Sequence, residues 1–215
     1  MLNKFNLQKL INIYFRYKYN IDKSTKLGKI NIFGNKEHIK IYSRYISNFN
    51  RNSNITSISQ RYSSKIELAK NSFIRDGVKI EAYGKGLISV GENTTINENS
   101  ILRTMGKNSI IIGKNSIISW NCQILSSDFH QIIYDGVEKY FEKDILISDN
   151  CWIGTNVTIL KGSRIRKGSV VQANSLVCDE FPENSLIGGV PAKLIKKNVS
   201  WRNLLFHEKR GEYER

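Results

Sequence analysis

The sequence predicts an all-β solenoid, a parallel β-helix, on three observations. An aliphatic residue stands at every sixth position at Ile147, Ile153, Ile159, Ile165, Val171 and Val177, a period that is neither helical nor simply alternating. The position four after the aliphatic is mostly short: Cys151, Val157, Ser163, Ser169 and Ser175, with Thr94, Ser100, Ser116 and Cys122 upstream. Glycine follows the aliphatic at Gly91, Gly113 and Gly154, where a tight corner calls for positive φ or close backbone approach. Short strands stacked coil on coil, each burying its neighbour's apolar face, require this pattern of inward aliphatics and narrow corners.

The elements follow in chain order. Residues 1–20 mix Leu, Ile, Phe and Tyr with Lys and Arg and read as an amphipathic helix, packed on its own subunit or a neighbour, or lying on a membrane surface. Short β-like runs follow at INIF and HIKIY, then the polar stretch NFNRNSNITSISQRYSS as loop or irregular coil, so residues 1–65 form an N-terminal appendage. Regular coils start near Ile66 or Ile74, and the β-helix occupies 66–190. Upstream the hexads are broken: Val90, Ile96 and Leu102 share one register, and Ile112, Ile118 and Ile124 another. Ile124 to Ile147 spans 23 residues, not a multiple of six, so the segment near 126–144 leaves the spiral as a protruding loop that contains His130. The exit holds both prolines, Pro182 and Pro191. Residues 191–215 close with a short helix, Ser200 as N-cap and Trp201, Leu204 and Leu205 on one face.

At 215 residues the chain has room for one substantial core and appendages. Thirty-three Lys and Arg against 19 Asp and Glu give a formal charge of +14, which favours phosphate-rich or acidic partners without choosing among them. No helix-turn-helix, zinc-finger or ribonucleoprotein signature accompanies that charge, so nucleic acid is not the expected partner. Cys122, Cys151 and Cys178 fit neither a zinc motif nor an even disulfide framework and read as small core residues. No run of 18 apolar residues and no secretory leader occurs, so the expected location is cytoplasmic, including the inner face of the membrane.

Three local strings, SSDFH, NCWIGTNVTILKGSRIRKGSVVQANSLV and FPENSLIGGVPAKLIKK, resemble the hexapeptide-repeat acyltransferases, the left-handed β-helix enzymes that acetylate galactosides, maltose and xenobiotics. The resemblance covers residues 88–197 and is poor before 66. It implies a left-handed spiral, a homotrimer with active sites between neighbouring β-helices, and acetyl-coenzyme A as donor. His130 matches the family's catalytic histidine. Trp152 and Thr155 match the tryptophan and hydroxyl positions of its WIGS-type motif near the thioester and pantetheine, and Ala173 a small residue whose backbone contacts the pantetheine arm. Lys193 and Lys196 stand where relatives carry basic residues facing the coenzyme's phosphates. Relatives that acetylate simple sugars carry an acidic acceptor-binding residue in the N-terminal region, and none aligns here, so the acceptor stays open.

The chemistry asks for the same groups. Moving an acetyl group from a thioester to an alcohol requires a base with a pKa near neutrality, the range of an unperturbed imidazole at about 6.5. His130 is that candidate, because it lies in the one large register break. His38, in a strand-like run, and His207, after the terminal helix face, read as structural or solvated. The oxyanion calls for preorganised donors, a coil N–H and the Trp152 indole N–H among them; no metal is needed. Trp152 precedes the inward Ile153 and so points outward. Trp120, beside Asn121, does likewise, and both are candidates for the cleft wall. Asp128 either orients His130, meets the acceptor or is a solvated carboxylate. The leading expectation is an acetyl-coenzyme A dependent O-acetyltransferase of an acidic bacterial surface polysaccharide, capsule or lipopolysaccharide. The alternatives are an N-acetyltransferase of a nucleotide-linked amino sugar, whose relatives carry a glycine-rich βαβ unit that does not open this chain, and a non-enzymatic basic scaffold.

Overall fold

The computed structural model describes residues 56–139 and 143–202, together with the backbone of four short strands at 26–27, 30–33, 39–41 and 45–46. The helix expected at 1–20, His38, Leu204, Leu205 and His207 lie outside the described residues. Ser200–Arg202, expected to open the terminal helix, are irregular.

The strands form three large sheets. Face A has nine strands, from Lys26–Leu27 to Ala192–Lys196; face B has seven, from Ile30–Phe33 to Leu176–Val177; face C has seven, from Ile39–Ile41 to Glu180–Phe181. Neighbours within a face are mostly three strands apart in the chain and pair in parallel. The chain therefore visits A, B and C in turn, as a spiral with a triangular cross-section. The final pair of face A, Leu186–Gly189 with Ala192–Lys196, is antiparallel and ends the stack.

Each face buries a column of aliphatics, one per coil, set side by side by the ladder register. On face A these are Ile74, Ile96, Ile118, Ile153, Val171 and Ile187. On face B they are Ile58, Ile80, Leu102, Ile124, Ile159 and Val177. On face C they are Leu68, Val90, Ile112, Ile147, Ile165 and Phe181.

These columns locate the broken hexads. From Ile58 onward, inward residues are six apart at every crossing from A to B (Ile74 to Ile80, Ile96 to Leu102, Ile118 to Ile124, Ile153 to Ile159, Val171 to Val177) and from C to A (Leu68 to Ile74, Val90 to Ile96, Ile112 to Ile118, Ile147 to Ile153, Ile165 to Val171, Phe181 to Ile187). Over that span only the crossing from B to C varies: ten residues for Ile80 to Val90 and Leu102 to Ile112, 23 for Ile124 to Ile147, six for Ile159 to Ile165 and four for Val177 to Phe181. In the first coil the ladder partners also depart from six elsewhere, twelve residues separating Ile46 from Ile58 and five Ile41 from Ile46. From Ile58 onward every register shift is thus an insertion at one corner. The longer crossings supply a second buried aliphatic to face C, at Ile66, Ile88, Ile110 and Ile145.

The coils also begin before residue 66. Thr56–Gln60 pairs in parallel with Lys79–Ala82, and Ile30–Phe33 pairs in turn with Thr56–Gln60. The polar sequence there hid strands whose inward Thr56 and Gln60 flank a single aliphatic, Ile58.

The regular corners share one chemistry. Asn93, Asn115 and Asn150 at corner CA, and Asn99, Asn121, Asn156 and Asn174 at corner AB, hold φ between 54 and 61°, the left-handed region that asparagine tolerates better than most residues. Their amides stack from coil to coil, Asn93 Nδ2 donating to Asn115 Oδ1 and Asn156 Nδ2 to Asn174 Oδ1, both at 3.1 Å. The short residue that follows is buried, and its hydroxyl donates to a carbonyl of the next coil: Thr94 to Gly113 at 2.7 Å, Ser100 to Ser119 at 3.0 Å. Cys122 and Cys151 occupy the same position and donate to Gly154 at 3.1 Å and Arg166 at 3.3 Å. Both are small core residues as the sequence suggests, and burial pushes each thiol up to about 11; Cys178 is exposed. Gly154 answers close approach, since a Cβ there would lie 2.7 Å from the Ala173 backbone nitrogen.

Candidate active site

The 126–144 excursion leaves corner BC between Gln123–Leu125 of face B and Ile145–Ile147 of face C. Its first residues are tied to the spiral. Ser126 and Ser127 are buried, and Ser126 Oγ donates to Thr104 Oγ1 at 2.7 Å. Asp128 pairs with Lys161 of a later coil. Phe129 adopts φ 61°, unusual for an aromatic residue, its backbone N–H donating to Ser127 Oγ at 3.0 Å. Its ring lies 5.6 Å from the Arg103 guanidinium, which is itself paired with Glu81 at 2.5 Å. His130 follows, exposed, at the end of this braced turn. Beyond it, Ile132–Tyr134 and Val137–Lys139 form an antiparallel hairpin whose Ile133 is 61% exposed.

Trp152 projects from face A, as its place before the inward Ile153 requires, and is 42% exposed. Its indole N–H, an expected oxyanion donor, is donated to Ser119 Oγ at 3.2 Å. Its ring lies 6.1 Å from that of Trp201, whose own N–H donates to the Asn150 carbonyl at 2.8 Å. The chain after the exit hairpin thereby returns to cover face A. Trp120 and Asn121, Thr155, and Ala173 stand on successive coils of corner AB, linked by Asn156 N–H donating to Trp120 O and Asn174 N–H to Thr155 O, both at 2.9 Å. Lys193 and Lys196 are exposed on the final strand of face A, opposite Gly188 and Leu186.

The structure therefore brings Trp152, Thr155, Ala173, Lys193 and Lys196, with Trp120 and Asn121, onto face A and corner AB. His130 and Asp128 lie at corner BC, the far edge of face B. Asp128, expected to orient His130, meet the acceptor or stand solvated, pairs with Lys161. Sequence reasoning missed Arg103, Phe129, Lys161 and Trp201, since their partners lie 22 to 51 residues away in the pairs or bonds they form (Arg103 with Glu81, Lys161 with Asp128, Trp201 with Asn150) or, for Phe129, meet across coils; only the inter-coil ladders make them neighbours. Among the described residues no group of three or more metal-ligating side chains occurs, and no helix is long and apolar enough to cross a membrane.

No family model matches the chain. A stretch of 53 residues is 53% identical to a putative lipopolysaccharide biosynthesis O-acetyl transferase, WbbJ, of Escherichia coli, covering 25% of this chain and 27% of that protein. The chain spans about a quarter of the length of the curated relatives it matches. Among solved structures it is similar to the polysialic acid O-acetyltransferase OatWY, with TM-score 0.60 and 26% identity over 88% of this chain and 89% of that one. It shares its fold with the polysialic-acid-specific acetyltransferase NeuO, at TM-score 0.66 and 24% identity over 88% and 77%. It likewise shares its fold with a mutant of the N-acyltransferase AntD of Bacillus cereus, solved with dTDP and coenzyme A, at TM-score 0.54 and 20% identity over 70% and 81%. The architecture is the left-handed hexapeptide-repeat β-helix of these acyltransferases.

Proposed function

We propose that this chain is an O-acetyltransferase that moves an acetyl group from acetyl-coenzyme A to a hydroxyl of an acidic bacterial surface polysaccharide, a reading supported by its repeat, its fold and its similarity to known acetyltransferases. The observation that carries the reading is the braced turn at Ser126–His130, which exposes one imidazole on a loop base held by hydrogen bonds, an ion pair and a cation–π contact. His130 takes the acceptor hydroxyl's proton as the oxygen attacks the thioester carbonyl, and the proton then passes to the leaving coenzyme thiolate. Positioned bases of this kind contribute roughly 10²- to 10⁴-fold. With the Trp152 N–H engaged by Ser119, the oxyanion is met by coil backbone N–H groups.

Donor and base halves stand on different edges of one chain, which favours the homotrimer implied by the resemblance: His130 of one subunit completes the Trp152, Thr155 and Ala173 surface of the next. Lys193 and Lys196 face the coenzyme's phosphates, and Trp120 and Asn121 wall the cleft. The chain works at the cytoplasmic side, where acetyl-coenzyme A is available.

Release of free thiol from acetyl-coenzyme A, assayed with neutral and acidic glycans, tests this. Turnover should require an acidic glycan and fall at least about 10²-fold in His130→Ala with the fold intact; near-wild-type rates in that variant refute the base assignment.

A further inference from the structure

The three corners of the spiral carry different charge patterns. Corner CA stacks Lys70, Glu92, Lys114, Asp149, Lys167 and Glu183 on successive coils. Their carbonyls accept from the next coil's Asn93, Asn115, Asn150, Gly168 and Asn184 N–H groups at 2.8 to 3.3 Å. Signs alternate there, so each charge sits between opposite neighbours about 4.8 Å away, the spacing of adjacent strands. Corner AB carries Arg75, Asp76 and Glu98, then the uncharged Trp120, Thr155 and Ala173.

Corner BC is different. Arg61, Lys85, Lys107, Lys143 and Lys161 follow one another along it. The corner segments 61–64, 83–86 and 105–109 contain no acidic residue. Among the described residues the carboxylates further along are Asp128, paired with Lys161; Asp144, which accepts from Ser109 N–H at 2.7 Å; Asp135 and Glu138 out on the hairpin, Glu138 accepting from Gln131 at 3.1 Å; and Asp179 in the last coil; Glu142, before Lys143, lies outside them. Among the described residues no ion pair joins Arg61, Lys85, Lys107 or Lys143 to a carboxylate. All four are exposed. Lys143 lies over Gly162, beside Lys161. Tyr62 is 80% exposed next to Arg61, whose guanidinium lies 5.9 Å from the Tyr83 ring.

A row of like charges at this spacing repels itself and adds nothing to stability. Corner CA demonstrates that the same coils accommodate alternation. We propose that corner BC is a binding track for a linear, polyanionic glycan. Its carboxylates meet one cation per coil, its sugar rings pack on Tyr62 and Tyr83, and its hydroxyls are delivered to His130 at the end of the row. Three coil steps from Arg61 to Lys143, the coil that also carries His130, give a track of about 14 Å at that strand spacing, with a repeat close to the rise of one sugar along an extended chain. The proposal rests on the acetyltransferase reading for its ligand class but is read by binding alone.

The test measures binding of the full chain to polysialic acid oligomers of increasing length, to dextran and to a single-stranded oligonucleotide, at several salt concentrations. Polysialic acid should bind more tightly with length and then level off once the track is filled, and dextran should not bind. The pair Lys85→Glu with Lys107→Glu should weaken oligomer binding at least about tenfold and flatten the salt dependence by about two charges, whereas Lys70→Glu with Lys114→Glu at corner CA should change it less than twofold. Binding unaffected by the Lys85 and Lys107 reversal, or weakened equally by the corner CA pair, overturns the track. Tighter binding of the oligonucleotide than of the glycan at equal charge overturns the ligand class. Turnover on a neutral sugar that needs His130 but ignores Lys85 and Lys107 removes the track and leaves the enzyme.

Discussion

Corners AB and CA are built to one rule, and corner BC breaks it repeatedly. At the first two, the chain turns in the same number of residues on every coil from Ile58 onward, mostly with left-handed asparagines at the surface and a small hydroxyl or thiol bonded inside. At BC the crossing lengthens to ten residues in the early coils, 23 at the loop, and shortens to six and then four. The difference separates what holds the spiral together from what it presents. From Ile58 onward the corners that register with both neighbours keep one length, with asparagine or glycine at the left-handed position. The corner freed from that constraint holds the loop with His130 and the unpaired cations.

The largest effect should come from forcing the BC irregularity onto corner AB. Four residues inserted after Gly162 at corner BC separate Ser163 from the Leu160 carbonyl it donates to but otherwise lengthen a crossing that elsewhere is four residues longer, and the loop entropy is cheap, roughly 0.6 kcal/mol per doubling of loop length. The same insertion after Asn156 breaks the amide ladder to Asn174 and displaces the N–H donated to Trp120 O. It also moves the buried Val157 out of its corner. Losing a ladder bond, a buried contact and corner packing together costs about 3 kcal/mol or more. Denaturant midpoints of the two insertions should differ accordingly; equal midpoints would mean that the corners are equivalent.

The same contrast governs how much the sequence alone disclosed. The hexads from Ile147 to Val177 were legible because six-residue crossings keep one register through all three faces. Upstream, insertions at BC shifted the register each time, so Val90 and Ile112 looked like members of separate repeats although the ladder sets them side by side. Thr56–Gln60 reads as loop in the sequence because its inward positions are mostly polar. An asparagine before the small residue, as in Asn93-Thr94, Asn121-Cys122 and Asn156-Val157, is a corner signal that would have located the coils regardless of register. His130 was legible as the one histidine in the long excursion. Its supports Arg103 and Lys161 were not, since what joins them to the loop is stacking between coils far apart in the chain.

Those supports give the middle prediction. Arg103, held by Glu81, and Lys161, paired with Asp128, act on chemistry only through the turn that carries His130, so they are positioning residues. Both ion pairs are partly exposed and contribute little to stability, about 1 kcal/mol at most. Lys161→Met and Arg103→Ala should leave the melting temperature nearly unchanged. They should lower kcat about tenfold, with KM for acetyl-coenzyme A unaltered, because a misplaced base affects proton removal more than donor binding. Lys161→Arg should restore most of kcat, since it preserves the charge facing Asp128. A fall in thermal stability that matches the fall in rate, or no rescue by arginine, would reassign these residues to structure.

The smallest effect lies inside the regular corners. Cys122 and Cys151 are held neutral by burial, each pushed up to about 11, whereas a thiol in the unfolded chain titrates near 8.5. Above that lower value the unfolded chain binds fewer protons than the folded one, so stability falls as pH rises, and the loss continues until the folded thiols ionise. Serine fills the same corner at Ser100 and Ser116 with a hydroxyl that does not titrate in this range, donating to a carbonyl of a neighbouring coil as the thiols do. Cys122→Ser with Cys151→Ser should therefore match wild type in stability at neutral pH to within about 1 kcal/mol and lose less of it between pH 8.5 and 11. Tyrosines and lysines titrate in both proteins and cancel in the comparison. Parallel curves for the two proteins across that window would show that the corner thiols do not control the alkaline limit of the spiral.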